Sequence, residues 1–193
     1  MRKAIIAFSA LCLSALTACG ENNTAGTNAV AVGDSFQFHA PGGETVIHYP
    51  ESERAPINNI SGPAVGDSSK TISLSDYDNG VVVLNAWGQW CGPCRTEVDD
   101  LQEVNEMLEK TGGSVIGINV RDTEALAEDF IVDNGLTYPS IYDPPFKLAA
   151  QLGGLPATAV PTTIVLDKQH RPAVVFLKQV TAAELMEVIK PLQ

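Results

Sequence analysis

The segment Trp90-Cys91-Gly92-Pro93-Cys94-Arg95, directly behind the apolar run Val81-Val82-Val83-Leu84-Asn85-Ala86-Trp87, constrains this chain more than any other feature. The apolar run reads as a strand covered on both faces, as in a parallel-type sheet. The residues after it read as an amphipathic helix from about Gly92 to Lys110, stopped by Gly112-Gly113. A dithiol at a helix mouth meets unpaired backbone N–H groups and the positive end of the helix dipole, so Cys91 is favoured as thiolate over thiol. Cys94 lies three residues on, on the same side of the first turn, where it can close a ring with Cys91 and release a mixed-disulfide partner. Pro93 fits the first turn, because the N–H it lacks has no partner there.

Other uses of a Cys-x-x-Cys pair leave different traces. A zinc knuckle needs four ligands, but the chain has no second such pair and only His39, His48 and His170. A c-type haem site needs His where Arg95 stands. A structural disulfide remains open, although such bridges belong mainly to small cysteine-dense chains. No metal and no cofactor is expected.

The other two cysteines lie near the start. Met1-Arg2-Lys3 and the apolar stretch Ala4 to Leu16 form a basic head and a core too short to span a bilayer comfortably, as in a secretory signal. Leu16-Thr17-Ala18-Cys19 resembles a bacterial lipobox, so residues 1–18 are expected to be a signal peptide and Cys19 the lipidated N-terminus, with Cys12 lost. An uncleaved signal anchor is the alternative; either places the domain outside the cytoplasm, at a membrane. Residues 19–34 are small and polar and read as a flexible linker with a reach of roughly 20 Å. Residues 35–193 are long enough for one domain with one core.

The net charge is −11, and loss of Arg2 and Lys3 makes it −13. Such a surface repels nucleic acid and gives anionic lipid no basic patch, which leaves protein substrates and a lipid tether as the expected partners.

Along the domain, Phe36 to His39 and Thr45 to Tyr49 around Pro41-Gly42-Gly43 predict a hairpin, and Pro50 to Lys70 an irregular loop. Thr71 to Leu74 predicts a short strand. The crossover of strand, helix and strand ends in Ser114 to Asn119. A helix follows over Thr123 to Asn134, with Leu126 and Phe130 on one face. A short strand is expected within Tyr138 to Tyr142 and a short helix within Phe146 to Leu152. Thr162 to Leu166 and Ala173 to Leu177 predict an antiparallel hairpin. Thr181 and Glu184 stand in capping-box spacing at the start of the last helix.

This order, with Trp-Cys-Gly-Pro-Cys at the first crossover and Val160-Pro161-Thr162-Thr163 before the hairpin, resembles the thioredoxin fold, and more closely the TlpA/ResA group of membrane-tethered thiol-disulfide oxidoreductases. The likeness covers about residues 66 to 193 and includes Ile72-Ser73-Leu74-Ser75-Asp76 and Glu97. It implies an α/β thioredoxin fold, a central sheet flanked by helices, with the N-terminal hairpin and a strand-helix insertion as additions. It implies a cis peptide before Pro161, placing the Val160 backbone beside the dithiol, and a docking surface formed by Trp90, Gly92, Pro93, Val160 and Pro161.

Thioredoxin carries a buried acid six residues before its first cysteine, where this chain has Asn85. An amide cannot take a proton, so Glu97, at i+3 from Cys94, is the candidate for managing the Cys94 proton. Burial would raise its pKa towards working pH; a solvated Glu97 would only complement the helix dipole. Asp99, Asp100 and Glu103 read as a wet helix face, and Trp87 and Trp90 as rim packing, with Trp90 able to flank the groove. Gly92 stands where many ResA-like proteins have Glu, and Gly88-Gln89-Trp90 departs from the commoner Ala-Thr-Trp.

The resemblance implies a disulfide reductase in which Cys91 attacks, Cys94 resolves and Glu97 moves the second proton. It further implies electrons from a membrane thiol donor of the CcdA type and apocytochrome c as client. The same dithiol can work as a general disulfide oxidant or isomerase, since direction depends on potential. A peroxidase lacks its Pro-Thr-x-x-Cys pattern here, and a Sco-type copper-binding chaperone uses a spacing one residue longer.

Overall fold

In the computed structural model, which describes residues 35–193, the dithiol helix is placed by one eight-stranded sheet. The strands are β1 (Val46–His48), β2 (Ser61–Ala64), β3 (Asp67–Ser73), β4 (Val82–Trp87), β5 (Ser114–Asn119), β6 (Ser140–Tyr142), β7 (Thr162–Leu166) and β8 (Pro172–Phe176). Their order is β1-β8-β7-β4-β5-β6-β2-β3. β4, β5 and β6 run parallel, β7 pairs antiparallel with β4, and β8 pairs antiparallel with β7. The helices are α1 (Gly92–Glu109), α2 (Glu124–Asp133), α3 (Leu148–Gln151) and α4 (Ala182–Ile189). The mixed α/β thioredoxin architecture expected from the sequence is present.

Side chains alternate along a strand, so each central strand lines two cores. Val82, Leu84 and Ala86 face one core with Ile116, Ile118, Ile164 and Leu166; Val83 faces the other with Val115, Val165 and the α1 residues Val98, Leu101, Val104 and Leu108. All six residues of β4 are buried, as the apolar run demanded. The same alternation puts Asn85 on the face that α1 covers.

α1 is tied to β5 by Asn105, a buried residue that sequence reading passed over. Its Oδ1 accepts from Val115 N–H at 2.9 Å and from Ser114 Oγ at 3.1 Å, and its amide donates to Glu109 at 2.8 Å. Gly113 ends the connection where a Cβ would come within 2.2 Å of the Val81 carbonyl, so no larger residue fits this turn unshifted.

Three expectations are corrected. Phe36 to His39 does not pair with Thr45 to Tyr49: Phe36 enters the core, the N–H groups of Phe36 and Phe38 donate to Pro56 and Gly153, and β1 pairs instead with the available edge of β8. A hairpin of β2 and β3 replaces much of the expected loop, its second strand running on into the short strand expected from Thr71, and it extends the sheet through the pairing of Ala64 with Ile141 on β6. Leu126 is not on the buried face of α2; it is 47% exposed, and Ala127 takes the inward position. The expected signal peptide, Cys19 and linker lie outside the described residues. Among those described, no helix is long and apolar enough to cross a membrane.

Replacing Asn105 with Leu strands the Val115 N–H in the core. The expected loss of stability is about 1–3 kcal/mol in denaturant unfolding, with the dithiol still able to close.

Candidate active site

β4 delivers the chain to the sheet end, and a turn closed by Cys91 N–H on the Gly88 carbonyl at 3.0 Å starts α1. Cys91 is the N-cap: its backbone is extended, and its Sγ accepts the Cys94 N–H at 3.2 Å. A sulfur thus takes the place that Ser or Asp takes at other helices, and the same N–H favours charge on it when the bridge opens. Cys91 and Cys94 form a disulfide, with Cα atoms 5.3 Å apart. Cys91 is 4% exposed and Cys94 1%, so Cys91 presents the outer sulfur. Gly92 and Pro93 are exposed in the first turn.

The pair packs with Trp87 and Ala127, edged by Val65, Phe130, Ile131 and Val160. The Val160–Pro161 peptide is cis, as the resemblance implied, and Val160 lies against the dithiol cluster. Val65 comes from the β2–β3 turn, so the hairpin that sequence reading missed supplies part of the rim. Trp87 is core rather than rim: it is 2% exposed, stacks at 5.2 Å on Phe130 and donates to Ser140.

One turn below Cys94 lies Glu97, wholly buried. Its Oε1 accepts from Asn85 Nδ2 at 2.8 Å, and its Oε2 accepts from the Val180 N–H at 3.0 Å. The Asn85 amide also donates to Thr163 Oγ1 at 3.1 Å, on the strand that follows Pro161. Burial pushes the Glu97 pKa up to about 7; the Val180 and Asn85 bonds hold it below where burial alone would set it, and Asp100 adds a small upward push. The phenol of Tyr138 is pushed above its ordinary value, first by burial and then by the charge of Glu97. A carboxyl whose pKa is raised to about 7 is set to change protonation state near neutral pH. Asp100 is not merely a wet residue: it accepts the Ala182 N–H at 2.7 Å and fixes the start of α4 next to Val180.

The structure thus brings together Cys91, Cys94, Glu97, Val160 and Pro161, with Trp90 at the outside. Cys19 lies outside the described residues. Asn85 was visible in the sequence only as an acid's replacement, and the Val180 N–H carries no sequence signal at all.

Residues 54–171 match the AhpC/TSA family. The chain belongs to that family. ResA of Geobacillus thermodenitrificans, a thiol-disulfide oxidoreductase, is 31% identical over 121 residues, covering 61% of this chain and 68% of the relative. Among solved structures, a DsbF homologue from Corynebacterium diphtheriae is 63% identical with a TM-score of 0.79, covering 82% of this chain and 99% of its own. A secreted thiol-disulfide isomerase from Corynebacterium glutamicum is 56% identical with a TM-score of 0.80, covering 82% and 97%. With the Cys91–Cys94 bridge at the mouth of α1, the chain is a thiol-disulfide oxidoreductase of the thioredoxin fold.

The raised acid has a consequence for folding. Below about pH 4.5 Glu97 is protonated in folded and unfolded chains alike. Between there and about pH 7 the unfolded chain ionises while the folded one keeps its proton, so this residue makes stability fall as pH rises. A Glu97→Gln variant lacks that slope, and its amide can be met by turning over the Asn85 amide, whose Oδ1 is buried without a partner. In oxidised protein, its stability relative to wild type should improve by about 3 kcal/mol from pH 4.5 to pH 8. A pH-independent difference in paired denaturant melts would contradict the assignment.

Proposed function

We propose that this protein exchanges disulfides with exported polypeptides, with Cys91 as the sulfur that bonds to the client, Cys94 as the partner that leaves or resolves, and Glu97 as the proton store of Cys94. The observation that carries this reading is a disulfide at the mouth of α1 with a wholly buried, hydrogen-bonded carboxyl one helical turn below the inner sulfur. In the oxidising direction a client thiolate attacks Cys91 Sγ and expels Cys94, which takes the Glu97 proton. A second client thiolate then attacks the mixed disulfide and expels Cys91 as thiolate. Two electrons pass from client to protein, and the client leaves with a new disulfide. Run backwards, the same steps reduce a client, and Glu97 takes up the Cys94 proton.

Net oxidation or isomerisation is the direction best supported. The helix N-terminus and the Cys94 N–H stabilise the Cys91 thiolate, hence the reduced form, which makes the disulfide more oxidising. The relatives at 56% and 63% identity are called an isomerase and a DsbF homologue, and the chain covers nearly all of each. The second reading, a reductase that keeps apocytochrome c reduced on electrons from a CcdA-type carrier, is favoured by the ResA relatives and by the Gly92-Pro93 pair.

Either role belongs outside the cytoplasm. We place the domain of residues 35–193 on the outer face of the membrane, held by lipid on Cys19 through the linker of residues 19–34 after removal of residues 1–18. Docking falls to Trp90, Gly92, Pro93, Val160 and Pro161 around the sulfur.

Equilibration against glutathione separates the two directions. A midpoint potential at or above that of protein disulfide isomerase, about −180 mV, is expected. A value close to that of thioredoxin, about −270 mV, would overturn the oxidising direction in favour of the reductase.

A further inference from the structure

The lip just ahead of the dithiol carries a feature that packing does not require. Trp90 adjoins Cys91 yet is 44% exposed. Its ring folds back over Gly88, where a Cβ would come within 2.3 Å of Nε1, and Nε1 donates to the Val120 carbonyl at 3.1 Å. An alanine at 88 would push this ring aside, so the departure from Ala-Thr-Trp at Gly88-Gln89-Trp90 has a steric reason. The next residue along, Arg121, lays its guanidinium 4.4 Å from the ring centroid. It does so from a φ of 53°, a left-handed conformation that long side chains avoid, with its N–H held by the Pro144 carbonyl at 2.9 Å.

Arg121 is exposed, and it is in none of the ion pairs found among the described residues. Its neighbour Asp122 does not neutralise it at contact distance. That carboxylate accepts from Gln89 N–H at 2.9 Å, Thr123 N–H at 3.0 Å and the Asn119 amide at 3.2 Å. Arg95 is a second exposed cation in the first turn of α1, while α2 carries Glu124, Glu128, Asp129 and Asp133. In a chain of net charge −11, a cation seated over an exposed indole that adjoins Cys91 in sequence is a local exception.

We propose that Trp90 and Arg121 form a selecting lip that favours client segments carrying a carboxylate next to the reacting cysteine. The proposal rests on the reading of Cys91 and Cys94 as an exchange pair. A guanidinium seated over an indole keeps its N–H donors for two-point contact with a carboxylate, since the ring takes up none of them in hydrogen bonds. The exposed part of the indole offers apolar cover to the same segment. The stack and the constrained backbone orient the cation before the client arrives, so less side-chain freedom is lost on docking.

The test compares two peptide disulfides of equal length that differ only in Glu or Lys beside each cysteine. Each reacts with the pre-reduced full domain: the Cys91 thiolate attacks the peptide bridge, Cys94 then closes on Cys91, and the peptide leaves with both thiols and two electrons. Wild type should favour the Glu peptide by about three- to fivefold in second-order rate constant at low salt, the scale of one exposed charge contact. The preference should fade towards one at about 1 M salt.

Arg121→Gln and Arg121→Gly should both bring the ratio to about one, the glycine variant fitting the left-handed backbone without strain, and Arg121→Glu should invert it. A wild-type ratio of one, or a preference kept in the Gln and Gly variants, would overturn the lip. A wild type that exchanges with neither peptide would overturn the exchange reading itself and the lip with it.

Discussion

The burial of one carboxyl organises the site. Glu97 is on α1, the amide at its Oε1 belongs to β4, and the N–H at its Oε2 belongs to Val180 at the entry to α4. Through the same Asn85 amide it reaches Thr163 on β7, two residues beyond Pro161. An acid sealed from water must be hydrogen-bonded or neutral, and this one is balanced between the two states. Two hydrogen bonds are enough to keep the ionised form accessible, and burial is enough to make the proton worth keeping. That balance gives a helix-mouth dithiol a proton store on its inner side, where the client cannot compete for it.

The fold supplies this balance through period-two alternation. Because β4 is buried on both faces, Val82, Leu84 and Ala86 fill one core while Val83 and Asn85 look towards α1. A one-residue slip of β4 would send Asn85 to the other core and leave Glu97 without its amide. Asn105 on α1 and the cap that Asp100 gives Ala182 guard the same geometry from the two ends of the helix layer. The outer side is built differently, from Val65, Val160, Trp90 and Arg121 on separate loops. Inner residues set the proton chemistry and outer ones meet the client.

Much of this was legible before the fold was known, because it is written in local pattern. The run from Val81 to Trp87, the helix from Gly92, the capping box of Thr181 with Glu184 and the final hairpin all follow from neighbours in sequence. Glu97 was legible as a spacing, but its burial was not, since a solvated glutamate in the same place fits the sequence equally and only the cover of β4 and the α4 entry decides it. What escaped depended on partners far away in the chain. β2 and the start of β3 are polar and carry Pro63, and they become strands by pairing with each other and, through Ala64, with the edge of β6. Phe36 and Thr45 to Tyr49 found better partners in the loop at Gly153 and in β8 than in each other. The Val180 N–H and the stack of Arg121 on Trp90 join residues that no periodicity connects.

The central claim is that the Glu97 carboxyl holds its proton to near neutrality. Carbon-13 NMR of the glutamate side-chain carboxyls in oxidised protein follows it directly, with Glu97 assigned by its absence in a Glu97→Gln sample. The account predicts one resonance titrating with a midpoint of about 7, apart from the other glutamates. A Glu97 resonance that titrates with the rest, near the ordinary glutamate value of about 4.3, would contradict it.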